Sequence, residues 1–170
     1  MDYYKELRKR TGHMPLVLPH SVVILFNEKD EVLLEERKDD GYFDFPGGGI
    51  DLKESGEDAA KRELLEETGL IADELELFKV YTGEVTHYVY FNGDEIYGVD
   101  LVYTCKKYHG EMKPQAEEVK ALKFYDLNNM PEKISIRLYV YTLFTNAFDT
   151  SIIDTLIKAK SLLPRTYGSH

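Results

Sequence analysis

Three glutamates, Glu63, Glu66 and Glu67, fall within five residues in the run "RELLEETGL", and three consecutive glycines, Gly47, Gly48 and Gly49, precede them. On a helix, positions three and four apart share a face, so these carboxylates are expected to project together. Like charges placed that way cost roughly a few tenths of a kcal/mol per exposed pair. A hard divalent cation reverses the sign of that interaction, because Mg²⁺ or Mn²⁺ takes carboxylate and carbonyl oxygens. The alternative is a solvated helix face, the commonest use of acidic residues on helices. Three features favour a site. Glycine lets the backbone approach a ligand closely. Arg62 stands beside the carboxylates and can orient one through a forked hydrogen bond. The helix also follows directly from the glycine turn. Such a turn is a weak phosphate signal in its own right, but the Gly-Lys-Ser/Thr ending of a P-loop is missing.

From Gly48 the chain reads Gly, five residues, Glu54, seven residues, Arg62-Glu63-Leu64, Leu65, Glu66-Glu67, Thr68, Gly69-Leu70. This resembles the Nudix box, with every fixed position of the 23-residue pattern filled. At average residue frequencies a chance match in this chain is on the order of one in ten million or rarer. The resemblance implies an α/β (α+β) fold, the Nudix-type α/β/α sandwich with a central mixed β-sheet. It implies a metal-dependent pyrophosphohydrolase, using Mg²⁺ or Mn²⁺, that cleaves a nucleoside diphosphate linked to another moiety by water attack at phosphorus. By the same resemblance Glu63, Glu66 and Glu67 are metal ligands, Glu63 and Glu67 foremost, and Glu63 helps to deprotonate the water. The Gly47 carbonyl matches a backbone ligand, Arg62 matches the arginine that holds a box glutamate, and Glu54 matches a structural glutamate. A further metal-binding carboxylate is expected from a loop before a late strand. There "QAEEVKALKFYDL" offers Glu117 and Glu118, and Glu118 aligns better. The alternative for that pair is a solvated surface. Arg37, Asp44 and Phe45 match positions that line a substrate cleft, although Phe43 and Phe45 suit a core equally well. One departure stands out: Lys53 replaces a glycine frequent in the family.

The elements that must position these groups are legible in outline. Residues 2–11 are expected to form a short helix ended by Gly12. "LVLPHSVVILFN" and "EVLLEERK" are β-branched and apolar runs joined by a polar turn, which predicts a hairpin. A helix is expected from Ser55 to Thr68, with Ser55 and Asp58 resembling a capping box and Gly69 as its stop. Asn92-Gly93 marks a second hairpin between two long strands, and "VKALKFYDL" reads as another strand. From about Ile134 to Leu163 the apolar spacing predicts two helices. The order of elements is not a regular alternation of strand and helix, so one mixed sheet with helices on its faces is expected.

The chain has 170 residues and a formal charge of −10, which fits a single domain spanning residues 1–170, with a core over about 16–147 and a helical extension over about 148–163. That charge repels a nucleic-acid backbone, so duplex DNA is not expected as a partner. It would also repel a phosphate substrate unless cations intervene. No run reaches the roughly eighteen apolar residues of a membrane helix, and "MDYYKELRKRTGH" lacks a signal-peptide apolar region, so no membrane partner and a cytoplasmic location are expected. Cys105 is the only cysteine and reads as a structural thiol in a strand. The expected substrate is a small nucleotide derivative such as an ADP-ribose-like compound, a dinucleoside polyphosphate, a nucleotide sugar or a (d)NTP. The alternatives are pyrophosphate removal from an RNA 5′ end and a Nudix-like binding or sensor domain without turnover. Ile152, Ile153, Leu156 and Ile157 lie at helical spacing and are expected to pack on their own domain, with a homodimer contact as the minority reading.

Overall fold

A computed structural model describes residues 3–90 and 92–135. The helices expected from about Ile134 to Leu163 fall almost wholly outside the described residues, as do Ile152, Ile153, Leu156 and Ile157. The described elements are α1 (Tyr3–Thr11), β1 (Leu16–Leu25), β2 (Val32–Arg37), β3 (Phe43–Asp44), β4 (Gly47–Gly49), α2 (Gly56–Thr68), β5 (Leu70–Val89), β6 (Glu95–Gly110) and β7 (Val119–Tyr125).

The fold is mixed α+β with a mixed central sheet as expected, but the strands form two sheets where the sequence suggested one. Its strands divide into a four-stranded sheet, β4-β1-β6-β5, and a three-stranded sheet, β3-β2-β7. Only β1 and β6 run parallel among the described pairs. The hairpin expected between β1 and β2 does not form. The two runs meet in a single bridge, Phe26 to Val32, and then part into different sheets. A strand has two hydrogen-bonding edges, and β1 uses both, one for β4 and the other for β6. The second strand therefore pairs with β3 and β7 instead.

Alternation along β1 divides the core. Val22 and Ile24 enter a cluster with Val32, Leu34, Phe45, Tyr81 and Val102. Val23 and Leu25 point the other way, into a cluster that includes Leu33, Ala60, Leu64, Leu70 and Tyr103. Residues two apart on a strand share a face, so a continuous apolar run means that both faces are covered. The second face is covered by α2, through Ala60 and Leu64.

Helix α2 begins and ends as its sequence dictates. The Ser55 hydroxyl accepts from the Asp58 amide at 3.1 Å, and Gly69 adopts φ 74° while its N–H donates to the Leu65 carbonyl. The β5–β6 hairpin turns at Gly93, with φ 85°. Cys105 is buried, and burial pushes its thiol up to about 11, which suits a structural rather than a nucleophilic role. Among the described residues no helix is long and apolar enough to cross a membrane.

Candidate active site

The glycine turn is the edge strand β4, which lies antiparallel to β1 in the register His20 to Gly49, Ser21 to Gly48 and Val22 to Gly47. Helix α2 packs across β1 and β4. Contacts leave little room for a side chain here, least of all at Gly47, where the obstacle is backbone. A Cβ on Gly48 would stand 2.5 Å from Glu63 Oε1, one on Gly47 would overlap the Ser21 carbonyl, and one on Gly49 would overlap the Tyr4 ring. The bare backbone is thus what lets the Glu63 carboxylate lie against the turn.

Arg62 assembles the carboxylates. Its Nε donates to Glu54 Oε1 at 2.7 Å and its Nη2 to Glu54 Oε2 at 2.9 Å, a forked pair. The same Nη2 donates to the Gly49 carbonyl at 2.9 Å. Nη1 donates to Glu63 Oε1 at 2.6 Å and to Glu66 Oε2 at 3.3 Å. Its hydrogen bond with Glu54, above all, holds the guanidinium firmly protonated. Glu54 in turn is drawn below its ordinary range by the Arg62 bond, and its Oε2 accepts from the Asp51 amide at 3.0 Å.

The three box glutamates do not share one environment. The Glu66 side chain is 52% exposed, whereas that of Glu63 is 14% exposed. Glu67 is buried on the sheet side of α2, and its Oε2 accepts from the Gly47 amide at 2.8 Å. Burial raises the Glu63 carboxyl, with Arg62 opposing the shift. Burial also pushes Glu67 well above its usual range, reinforced by the charges of Glu35 and Glu63.

A cavity of about 1070 Å³ opens over the turn and helix, lined in part by Arg37, Gly47, Gly48, Arg62, Glu63, Glu66, Glu67 and Glu118. Its far wall comes from α1, with Tyr4, Lys5 and Lys9, from His20 on β1, and from the β5–β6 turn, with Tyr90. Arg8 pins α1 in place, donating to the Met14 carbonyl at 2.7 Å and the Glu95 carbonyl at 2.8 Å. A smaller cavity of about 290 Å³ is lined by Glu35, Arg37, Glu67, Glu117 and Glu118 among others. Glu118 therefore borders both spaces and Glu117 only the smaller one.

Two of the sequence-derived cleft residues lie elsewhere. Phe45 is 3% exposed and belongs to the core, the alternative weighed for it from the sequence. Asp44 lines neither cavity, and its Oδ1 accepts from the Phe45 amide at 2.9 Å. Arg37 lines both cavities and forks onto Asp39 at 3.0 and 2.7 Å.

Three residues at the site were not singled out from the sequence. Glu35 is 3% exposed and beside Glu67. Its signal was a charge continuing the apolar run "VLL" on a strand whose first four residues are all buried. Tyr4 and His20 stack at 5.9 Å on the cavity wall, and no local pattern announces them.

Among the described residues, no three acidic, imidazole or thiol groups already converge as a metal cluster. Arg62 occupies Glu63 Oε1 and the Gly47 amide occupies Glu67 Oε2. The donor set is nonetheless all oxygen, the type that a hard divalent cation takes. Burying like-charged carboxylates against one another is unfavourable without a cation between them.

A mixed α+β fold that sets a glycine turn against a carboxylate helix over an open cavity defines a class, and the comparisons name it. The NUDIX domain family model matches residues 18–143, and the chain belongs to that family. It is 34% identical over 109 residues to an ADP-ribose pyrophosphatase of Methanocaldococcus jannaschii, covering 62% of this chain and 60% of the relative. It is 34% identical over 104 residues to an RNA pyrophosphohydrolase of Wolbachia sp. subsp. Brugia malayi, covering 61% and 57%. The chain thus spans less than two thirds of these curated relatives. Among solved structures, a MutT NUDIX hydrolase from Burkholderia pseudomallei superposes with TM-score 0.64 at 23% identity, covering 74% of this chain and 95% of that one. The NUDIX domain of Shewanella oneidensis NrtR, complexed with ADP ribose, gives 0.62 at 23% identity, covering 76% and 86%. At that identity the structural likeness speaks for the fold.

Proposed function

We propose that the chain is a divalent-metal-dependent pyrophosphohydrolase that cleaves the diphosphate linkage of a small nucleotide-derived substrate by water attack at phosphorus. The observation that carries this reading is the Arg62 fork, which ties Glu54, Glu63 and the Gly49 carbonyl into one unit at the cavity floor. A helix that only needed solubility would leave its glutamates in water. Here Glu63 and Glu67 are drawn inward at a cost in desolvation.

Glu67, Glu63, Glu118 and the Gly47 carbonyl are the groups that would hold Mg²⁺ or Mn²⁺, with Glu66 at the exposed rim. Such an ion, when bound, neutralises charge on the phosphoryl oxygens and makes a water more acidic. The chain's own residues do the rest. Arg62 fixes the Glu63 carboxylate at the turn, where Glu63 accepts a proton from the attacking water. The Gly47 amide fixes Glu67. Arg37, at the junction of the two cavities, faces an anionic substrate, and Tyr4 and Tyr90 offer aromatic surface for a nucleobase.

The relative that hydrolyses ADP-ribose supports a small nucleotide as substrate. The second reading, an RNA 5′ end, draws on the RNA pyrophosphohydrolase relative and on Lys5 and Lys9 at the cavity wall. A cytoplasmic setting suits a chain whose single cysteine is reduced and buried. The test is a panel of ADP-ribose, dinucleoside polyphosphates, nucleotide sugars, (d)NTPs and triphosphorylated RNA, with Mg²⁺ or Mn²⁺ and products identified by mass. Release of a nucleoside monophosphate from a small substrate supports the proposal. No turnover of any member would favour a binding domain.

A further inference from the structure

Glu35 stands outside the box, on β2, and nothing in the reading above uses it. It is 3% exposed, yet its Oε2 has no hydrogen-bond partner. A buried carboxylate oxygen without a partner is costly, and a structure keeps one only for a reason. The smaller cavity, about 290 Å³, is where this side chain faces Glu67 and Glu118.

The cations nearby do not answer for it. Arg37 forks onto Asp39 at 3.0 and 2.7 Å. Lys38 donates to the Ala116 carbonyl. The side-chain neighbour of Glu35 is Glu67, itself an acid. Glu36, the next residue, points to the opposite face and bonds Lys120 at 2.6 Å, as strand alternation requires. The carboxylate turned inward is therefore the one without a counterion.

We propose that Glu35 is a divalent-cation ligand from outside the box, holding with Glu67 and Glu118 an ion in the smaller cavity behind the turn. Glu35 lines only the smaller cavity and Glu63 and Gly47 only the larger, so this ion is distinct from one held at Glu63 and the Gly47 carbonyl, with Glu67, which lines both, between the two. The inference rests on the proposed metal-dependent reading and extends it from the box to β2.

The test is a Mn²⁺ titration of the full chain, followed by electron paramagnetic resonance, comparing wild type with E35Q, E36Q, E63Q and E67Q. E35Q is expected to bind one ion fewer per chain, or to bind it at least about tenfold more weakly, while E36Q matches wild type. Metal-free E35Q is expected to melt no lower than wild type, because the amide removes a carboxyl buried among other acids; a clearly lower melting point would show that Glu35 serves the fold and would overturn the inference. Unchanged Mn²⁺ binding in E35Q alongside loss in E67Q would overturn it while leaving the box reading intact. Unchanged binding in E63Q and E67Q as well, or none in wild type, would overturn both.

Discussion

Glu67 is where residue chemistry and packing conflict most directly. It occupies a position on the buried face of α2, alongside Ala60 and Leu64, where an apolar side chain would stabilise the helix–sheet contact. The Gly47 amide donates to it, and its nearest side-chain company is acidic. That misfit identifies a functional carboxylate more clearly than charge density does. The sequence spacing placed three glutamates on one face; it did not distinguish Glu66, exposed and salt-bridged, from Glu67, buried. Titration follows from the same burial. Between 4.5 and about 8 the native metal-free protein keeps a proton on Glu35 that the unfolded chain has released. Stability therefore falls as pH rises through that window. Glu54 has the opposite sign: its pKa is lowered, so its contribution is present above 4.5 and lost as pH falls. Thermal melts in a chelator are expected to show a melting temperature that declines from about pH 5 toward 8, with a shallower decline in E35Q. A melting temperature that rose across that range would contradict these assignments.

At the scale of elements, the turn between β4 and α2 carries a measurable strain. Lys53 adopts φ 70°, a left-handed conformation that costs a side-chain-bearing residue roughly 1–2 kcal/mol. The departure noted from the sequence, lysine where glycine is frequent, thus has a physical consequence. Lys53→Gly is expected to stabilise the protein by about 0.5–1 kcal/mol, since relief of strain is partly offset by the entropy of an unfolded glycine. For a chain of this size that is a rise of roughly 1–4 °C in melting temperature; a fall would show that Lys53 makes a contact worth more than the strain. The capped helix, the Asn92-Gly93 hairpin and β7 were all legible because their signals are local. Pairing was not. The break between β1 and β2 depends on which strands compete for the two edges of β1, and β4 and β6 are distant competitors that a local pattern does not reveal. Phe45 is a similar case: its aromatic type fits a cleft or a core, and only the packing against Val22, Ile24 and Leu34 decides for the core.

At the scale of the molecule, charge shapes what the cavity can receive. The chain carries −10, yet α1 brings Lys5, Arg8, Lys9 and Arg10 together on one short helix, and Lys5, Arg8 and Lys9 border the cavity. If the substrate is a small nucleotide, activity is expected to change only modestly between about 50 and 200 mM salt, because few phosphates are neutralised. Replacing Lys5 and Lys9 with alanine would then alter KM by only a few fold. A steep loss with salt on triphosphorylated RNA, abolished by the same double variant, would favour the RNA-end reading instead. These outcomes concern which substrate enters. The reaction itself rests on the carboxylates at the cavity floor, and it is tested most directly by turnover of the best substrate at saturating Mg²⁺ in wild type, E63Q and E67Q, with folding checked by circular dichroism. The proposed chemistry predicts native-like spectra with turnover lowered on the order of 10³-fold in each variant, about 4 kcal/mol of barrier. Near-native turnover in both variants would contradict it.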